Sequence, residues 1–325
     1  MSAEADILRP YYIEGLTRVT GVTNTTFKSW IETAPQILDN YDVVLKQFTF
    51  YIGDKNALLR SIAYDISRMT IATFESICDI SAEYEIPRST AWPLIRAYYS
   101  AFFAAHALLR ILGYGVVQLE RSQSDKLTAA LKFHANPPSV NIGDGLHLIT
   151  FNKGLSSYSI QKLNNGSHED TWSVLAELLI KVSREFLLDR NPVSQQKKQT
   201  FFNQMDELVK VMKSHPCHNR ANWLSKLRNE VNYQHKHGAW YPHEKSKNFR
   251  ENVFHNLTAW NKSPNLTISD ETHYIDKFTQ TCTFLVSLVR ELIYDISSRN
   301  ADDDSFLKVM ALKAIKQAEQ KRGSS

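Results

Sequence analysis

The sequence predicts a mainly α-helical bundle carrying inserted loops and a short β element. Three observations lead there. Eleven glycines and ten prolines in 325 residues fall well below the roughly 12% combined share of average proteins, too few turn formers for a sheet sandwich. Long stretches space their apolar residues by threes and fours, the period of a helix face. A hydrophobic content of 43% supplies a core for such helices to share, and the length suits one large or two modest domains.

Residues 1–55 read as a mixed N-terminal segment. An amphipathic run around Trp30–Leu45 gives way to QFTFYIG, where Phe48, Phe50 and Ile52 alternate like a short strand. Asp54 is a suitable N-cap for a helix from Lys55 to about Tyr84, with Leu58, Ile62, Ile66, Met69, Thr73 and Ile77 on one stripe. The next helix is the best marked. Ser89 or Thr90 caps it, Pro93 sits in its first turn, and Gly113 ends it. Its stripe of Leu94, Tyr98, Ala101, Ala105, Leu108 and Leu112, flanked by Ile95, Phe102 and Leu109, suits a central helix packed on several sides.

A short helix from Ser124 to about His134 precedes an irregular stretch with Pro137, Pro138, Gly143, Gly145 and Gly154, in which LHLITF reads as one strand. Helices follow over about Ser167–Asp189, Phe201–Lys213 and Ala221–Gln234, stopped by Asn191–Pro192, Pro216 and Gly238. Residues 236–270 read as a polar loop dotted with aromatics. In the long helix beyond it, Ile275, Phe278, Cys282, Leu285, Val289, Leu292 and Ile296 form a bundle seam. Asp302, Asp303 and Asp304 cap a last helix bearing Lys308, Lys313, Lys316, Lys321 and Arg322. The expected organisation is the segment 1–55, a helical domain 56–300 with insertions at about 136–160 and 236–270, and a basic C-terminal helix 301–325.

Several function classes drop out. A formal charge of +4 permits a nucleic-acid partner without requiring one. Cys78, Cys217 and Cys282 are too few and too scattered for a disulfide framework. The acidic start, MSAEADILRP, is unlike a signal peptide, and no stretch approaches the roughly 20 apolar residues of a membrane span, so a soluble, cytoplasmic protein is expected. There is no phosphate loop, dinucleotide fingerprint, HExxH or GxSxG elbow. His215, Cys217, His218, His235, His237 and His243 include donors that suit zinc, but one Cys among many His is an unusual structural set. They read better as loop and active-site histidines, and neither metal nor cofactor is expected.

Residues 224–235 read LSKLRNEVNYQH. Leu224, Leu227 and Val231 mark the core side, while Arg228, Asn232 and His235 share one helical face. Seven residues at ~1.5 Å each put Arg228 and His235 about 10 Å apart along a continuous helix, too far for both to touch one phosphate easily. Either the helix frays before His235 or two copies of the motif meet across an interface.

Arg228, followed by Asn229 and, after six intervening residues, by His235, resembles the R-x(4–6)-H signature of the HEPN superfamily. The helix RAYYSAFFAAHALLRILG, Arg96–Gly113, is similar to that family's earlier core helix, with its AYY, AF and LL groups in the same order. The likeness spans about residues 60–300 and leaves out 1–55, 136–160 and 236–270. It implies a helical HEPN domain acting as a metal-independent endoribonuclease, with Arg228, Asn229 and His235 as catalytic residues. It also implies a homodimer that pairs two Arg–His sets, and an antiviral or toxin–antitoxin role with a partner protein.

The chemistry is sound on its own terms. RNA carries its nucleophile, the 2′-OH, so the protein need only move protons and stabilise charge. A histidine titrates near neutrality, an arginine fork suits crowded phosphate oxygens, and the product end is a 2′,3′-cyclic phosphate. Around the motif, Lys236, His237, Trp240, Tyr241, Lys245 and Lys247 mix cations with rings in a way that suits single-stranded RNA. An ordinary solvated loop with its rings tucked onto the bundle accounts for them equally. The rival to an enzyme is a non-catalytic module that binds RNA or a partner protein.

Overall fold

The computed structural model describes residues 3–80, 89–134, 139–190, 193–213, 220–241 and 246–323, with 246–248 and 322–323 described by backbone only. In chain order the elements are α1 (Ala3–Leu8), α2 (Phe27–Thr33), β1 (Ile37–Asp42), β2 (Gln47–Tyr51), α3 (Lys55–Ile77), α4 (Ala91–Ile111), β3 (Tyr114–Leu119), α5 (Arg121–Leu131), β4 (Gly145–Phe151), β5 (Ser157–Lys162), α6 (Ser167–Leu188), α7 (Gln195–Met212), α8 (Trp223–Gln234), α9 (Ser246–Thr258), α10 (Tyr274–Arg299) and α11 (Lys313–Gly323). A π-helical turn, Leu307–Leu312, leads into α11.

Among the described residues the protein is thus a mixed α/β fold, with eleven α-helices and a five-stranded antiparallel sheet of order β1-β2-β5-β4-β3. This corrects the expectation of a mainly α bundle. The sheet escaped notice because its strands are only five to seven residues long, β1 and β5 carry few inward apolar side chains, and β3, which buries Val116, Val117 and Leu119, follows α4 directly. Leu38 is the one buried residue of β1, and only Tyr158 and Ile160 turn inward from SYSIQK in β5. The strands read from QFTFYIG and LHLITF are real, as β2 and β4, but they are joined by partners with weaker patterns. Gly113, at φ 82°, reverses the chain from α4 straight into β3.

Two further expectations change. The segment 236–270 is not all loop, because Phe249, Val253, Phe254 and Leu257 bury one face of α9. The helix α3 stops at Ile77, and the expected continuation to Tyr84 lies mostly outside the described residues. Pro137–Pro138, Asn191–Pro192 and Pro216 also lie outside them.

One hydrophobic core joins sheet and helices. Tyr158 centres its sheet side, with Phe27, Trp30 and Phe50 at ring-centroid distances of 6.0, 5.6 and 5.5 Å. On the helical side α4 is the hub, meeting α3, α6, α8, α10 and β3. Ala97, Ala101, Ala104, Ala105 and Ala107 are fully buried along it, and small side chains let neighbours approach on several sides. The N-terminal segment is pinned to α10, where Asp295 accepts from Arg9, Tyr12 and Arg299. No described helix is long and apolar enough to cross a membrane.

Candidate functional site

Helix α8 seats Leu224, Leu227 and Val231 in the core. That orientation turns Arg228 toward α4 and α6 at the floor of an open cleft of about 630 Å³. Asn229 and the 70% exposed Tyr233 rise from α8 on its rim, facing Ser167 and His168 at the start of α6 and Tyr99 of α4.

Arg228 is 5% exposed. Its guanidinium carbon lies 4.9 Å from the ring centroid of Tyr98 and 5.3 Å from that of Tyr99, the geometry of a cation held on aromatic faces. Its Nη2 is 3.2 Å from His168 Nε2, and its buried Nε–H has no partner. Among the described residues it forms no ion pair. The carboxylate that lines the cleft, Glu169, is bridged instead to Arg220 at 3.2 Å.

His168 is the second residue of α6. A guanidinium can only donate, so Nε2 is the lone-pair nitrogen and the proton sits on Nδ1, which donates to Tyr98 Oη at 2.7 Å. Trp172 Nε1 donates to the same hydroxyl at 3.2 Å. Burial first, then the Arg228 charge, lowers the pKa of His168 to about 4. Burial raises that of Tyr98, against Ser225, Trp172 and Arg228. Behind them, burial, Arg110 and then His168 hold His106 down at about 3. Both imidazoles and the phenol are therefore neutral at neutral pH.

Each histidine binds its proton more weakly when folded, so stability is full above the ordinary value near 6.5 and falls as pH drops toward 4 and 3. Both His106→Gln and His168→Gln should flatten that fall by of order 1 kcal/mol, a figure reduced for the partial exposure of these sites. Urea midpoints at pH 4.5 and 7 measure it, and unchanged slopes would contradict the assignment.

The residues picked out from sequence divide. Arg228 and Asn229 lie together in the cleft. The chain's own His235 does not join them, because α8 runs unbroken to Gln234 and His235 takes the left-handed conformation at its C-cap, φ 50°. Its exposed ring stacks on Trp240 at 5.3 Å. His237 Nε2 meets Glu230 at 2.8 Å, and its Nδ1 meets Tyr274 Oη at 3.0 Å. Lys236 is 3.6 Å from the same Glu230. Trp240 donates to Val231 O at 2.7 Å, tucked against the bundle, while Tyr241 is 70% exposed. Lys245, the Lys247 side chain, His215, Cys217, His218 and His243 lie outside the described residues. Among the described residues no three His, Cys, Asp or Glu side chains gather as a metal site.

Sequence reasoning passed over His168. The available signal was slight, a histidine in the first turn of a helix that begins SHEDTW, with no partner visible until α4 and α8 close around it. Comparison of the chain with protein-family models, with curated proteins and with solved structures finds no match.

Proposed function

We propose that the Arg228 cleft binds a phosphodiester of RNA and cleaves it without a metal, as a HEPN-type endoribonuclease. One observation carries this reading, the uncompensated guanidinium of Arg228, fixed on two rings with a free buried N–H and opening on a cleft that also presents a neutral imidazole. A buried cation without a carboxylate is costly, and an arriving phosphate supplies the missing charge with two parallel hydrogen bonds. The start of the 22-residue α6 faces the same space, adding backbone dipoles of the right sign. Exposed Tyr233 and half-buried Tyr99 offer rings on which unpaired bases stack.

The test is incubation with RNA in EDTA and mapping of the ends. Cleavage leaving 2′,3′-cyclic phosphates, with DNA of the same sequence intact, is the expected result. A second reading, an RNA- or protein-binding module without catalysis, is favoured by His235, which stacks on Trp240 away from Arg228. Arg228-dependent RNA binding with no cut products selects it. A second copy of the chain is what could bring His235 to the cleft, the homodimer that the family likeness implies. A role as a cytoplasmic defence or toxin effector held by a partner protein belongs to the same proposal, and relief of growth inhibition by Arg228→Ala in an expression host checks it.

A further inference from the structure

We propose that His168 is the catalytic imidazole of this cleft, so that a single protomer holds a complete Arg–His pair for RNA cleavage. The inference rests on the ribonuclease reading above and departs from it in where the proton goes. His168 Nε2, the lone-pair nitrogen, lies 3.2 Å from Arg228 Nη2, so a phosphate gripped by the guanidinium brings its neighbouring ribose within reach of that nitrogen. The ring is aimed from behind by a relay across two helices, in which Nδ1–H donates to Tyr98 Oη at 2.7 Å and Trp172 Nε1–H to the same oxygen at 3.2 Å. Phe102 backs it with ring centroids 4.4 Å apart. Such support fixes tautomer and direction together, as a general base requires.

The other described histidines near the motif are engaged elsewhere. His237 is held by Glu230 and Tyr274, His235 lies on Trp240, and His106 faces Thr171 at 3.5 Å behind the cleft.

The reaction balances without a co-reactant. The bound phosphate takes the Arg228 Nη2–H that Nε2 accepts in the free protein, which frees that lone pair. The 2′-hydroxyl proton then passes to His168 Nε2, and the 2′-oxygen forms a bond to phosphorus as the bond to the 5′-oxygen breaks. The departing 5′-oxygen takes a proton from water, and the imidazolium returns its own to solvent. Around His168 the titratable and charged groups are Tyr98, Tyr99 and His106 on α4, Glu169 on α6, and Lys226, Arg228 and Tyr233 on α8. Glu169 is occupied by Arg220, and burial first, then the Arg228 charge, hold the imidazole neutral. A bound phosphate offsets that charge and makes Nε2 a better base when substrate is present.

The experiment compares wild type, His168→Gln and His235→Ala on one RNA in EDTA, with binding measured on an analogue carrying a 2′-deoxy group at the cut site. The expected result is a loss of about 10²–10⁴-fold in cleavage for His168→Gln. Its analogue binding should be retained, and its residual rate should lack the acid limb of the wild-type pH profile. The larger loss belongs to His168→Gln and the smaller to His235→Ala. Wild-type cleavage by His168→Gln, or a loss confined to His235→Ala, overturns the assignment and leaves the ribonuclease reading standing. Absence of cleavage by the wild type overturns both. If His168→Gln does not fold, Tyr98→Phe removes the hydroxyl that aims the ring. It should lower kcat, leave KM, and shift the acid limb, and an unchanged kcat and limb overturns the proposal.

Discussion

If the Arg228 cleft is the ribonuclease site proposed above, Arg228→Lys is expected to lose RNA cleavage almost as fully as Arg228→Ala, by about 10²–10³-fold, the usual cost of deleting a positioned charge donor. Charge alone does not explain the site. The guanidinium is a flat group lying 4.9 and 5.3 Å from two tyrosine ring centroids, and that stacking sets the direction of its fork. An ammonium on a flexible stem keeps the charge and loses both the plane and the paired donors. Folding should hardly change. Truncation gives up the contacts with Tyr98 and Tyr99, worth ~1 kcal/mol together at a partly open site, but it also removes a buried Nε–H that lacks a partner. The substitution has a second readout. The Arg228 charge is one cause of the low pKa of His168, so Arg228→Ala should raise that pKa from about 4 toward its ordinary value, visible in an NMR titration of the imidazole. Retained cleavage by Arg228→Lys would sink the fork argument, and an unmoved His168 would sink the coupling.

Legibility tracked the strength of local pattern. Helix α4 could be read residue by residue because its alanines, its Pro93 in the first turn and Gly113 after its end all agree with a packed central helix. Arg228 was legible through its spacing to Asn229 and His235, but its burial at 5% exposure was not, because the rings of Tyr98 and Tyr99 that cover it lie on another helix. The sheet was not legible as a sheet. A strand such as ILDNYD has one buried residue and is held by its ladder to β2, a partner that sequence spacing does not name. His168 was invisible for a similar reason, since its meaning lies in residues 70 positions before it, at Tyr98, and 60 after it, at Arg228. His235 shows the converse. Its spacing drew attention, but the left-handed turn at the end of α8 carries its ring to Trp240.

Asp295→Ala should destabilise the protein by about 3 kcal/mol, the lower end of the range for removing one partner of a buried ion pair. Asp295 has no exposed surface. Its oxygens accept from Arg9 Nη2 at 2.7 Å and Nε at 3.1 Å, from Arg299 Nε at 3.0 Å, and from Tyr12 Oη at 3.2 Å. Burial alone would raise its pKa, but the hydrogen bonds from Arg9 and Arg299 outweigh it and hold the carboxyl below its ordinary value. Alanine leaves four donor groups, from three residues, facing a void. The lower end applies because Arg9 is 28% exposed and keeps Asp6, so part of its charge can turn to water. Since the folded carboxyl binds its proton more weakly, its contribution is full above pH ~4 and lost as pH falls further. The gap between wild type and variant should therefore narrow in acid. Guanidinium midpoints at pH 7 and pH 3 test this, with Arg9→Gln as the milder comparison because Asp295 then keeps Arg299. The damage should also be local, with faster amide exchange in α1 and the turn after it. None of Arg9, Tyr12, Asp295 and Arg299 lines the Arg228 cleft, so the cleavage proposed for that cleft should persist below the unfolding transition. A variant as stable as wild type at pH 7 would show that the N-terminal segment is held by its apolar face alone.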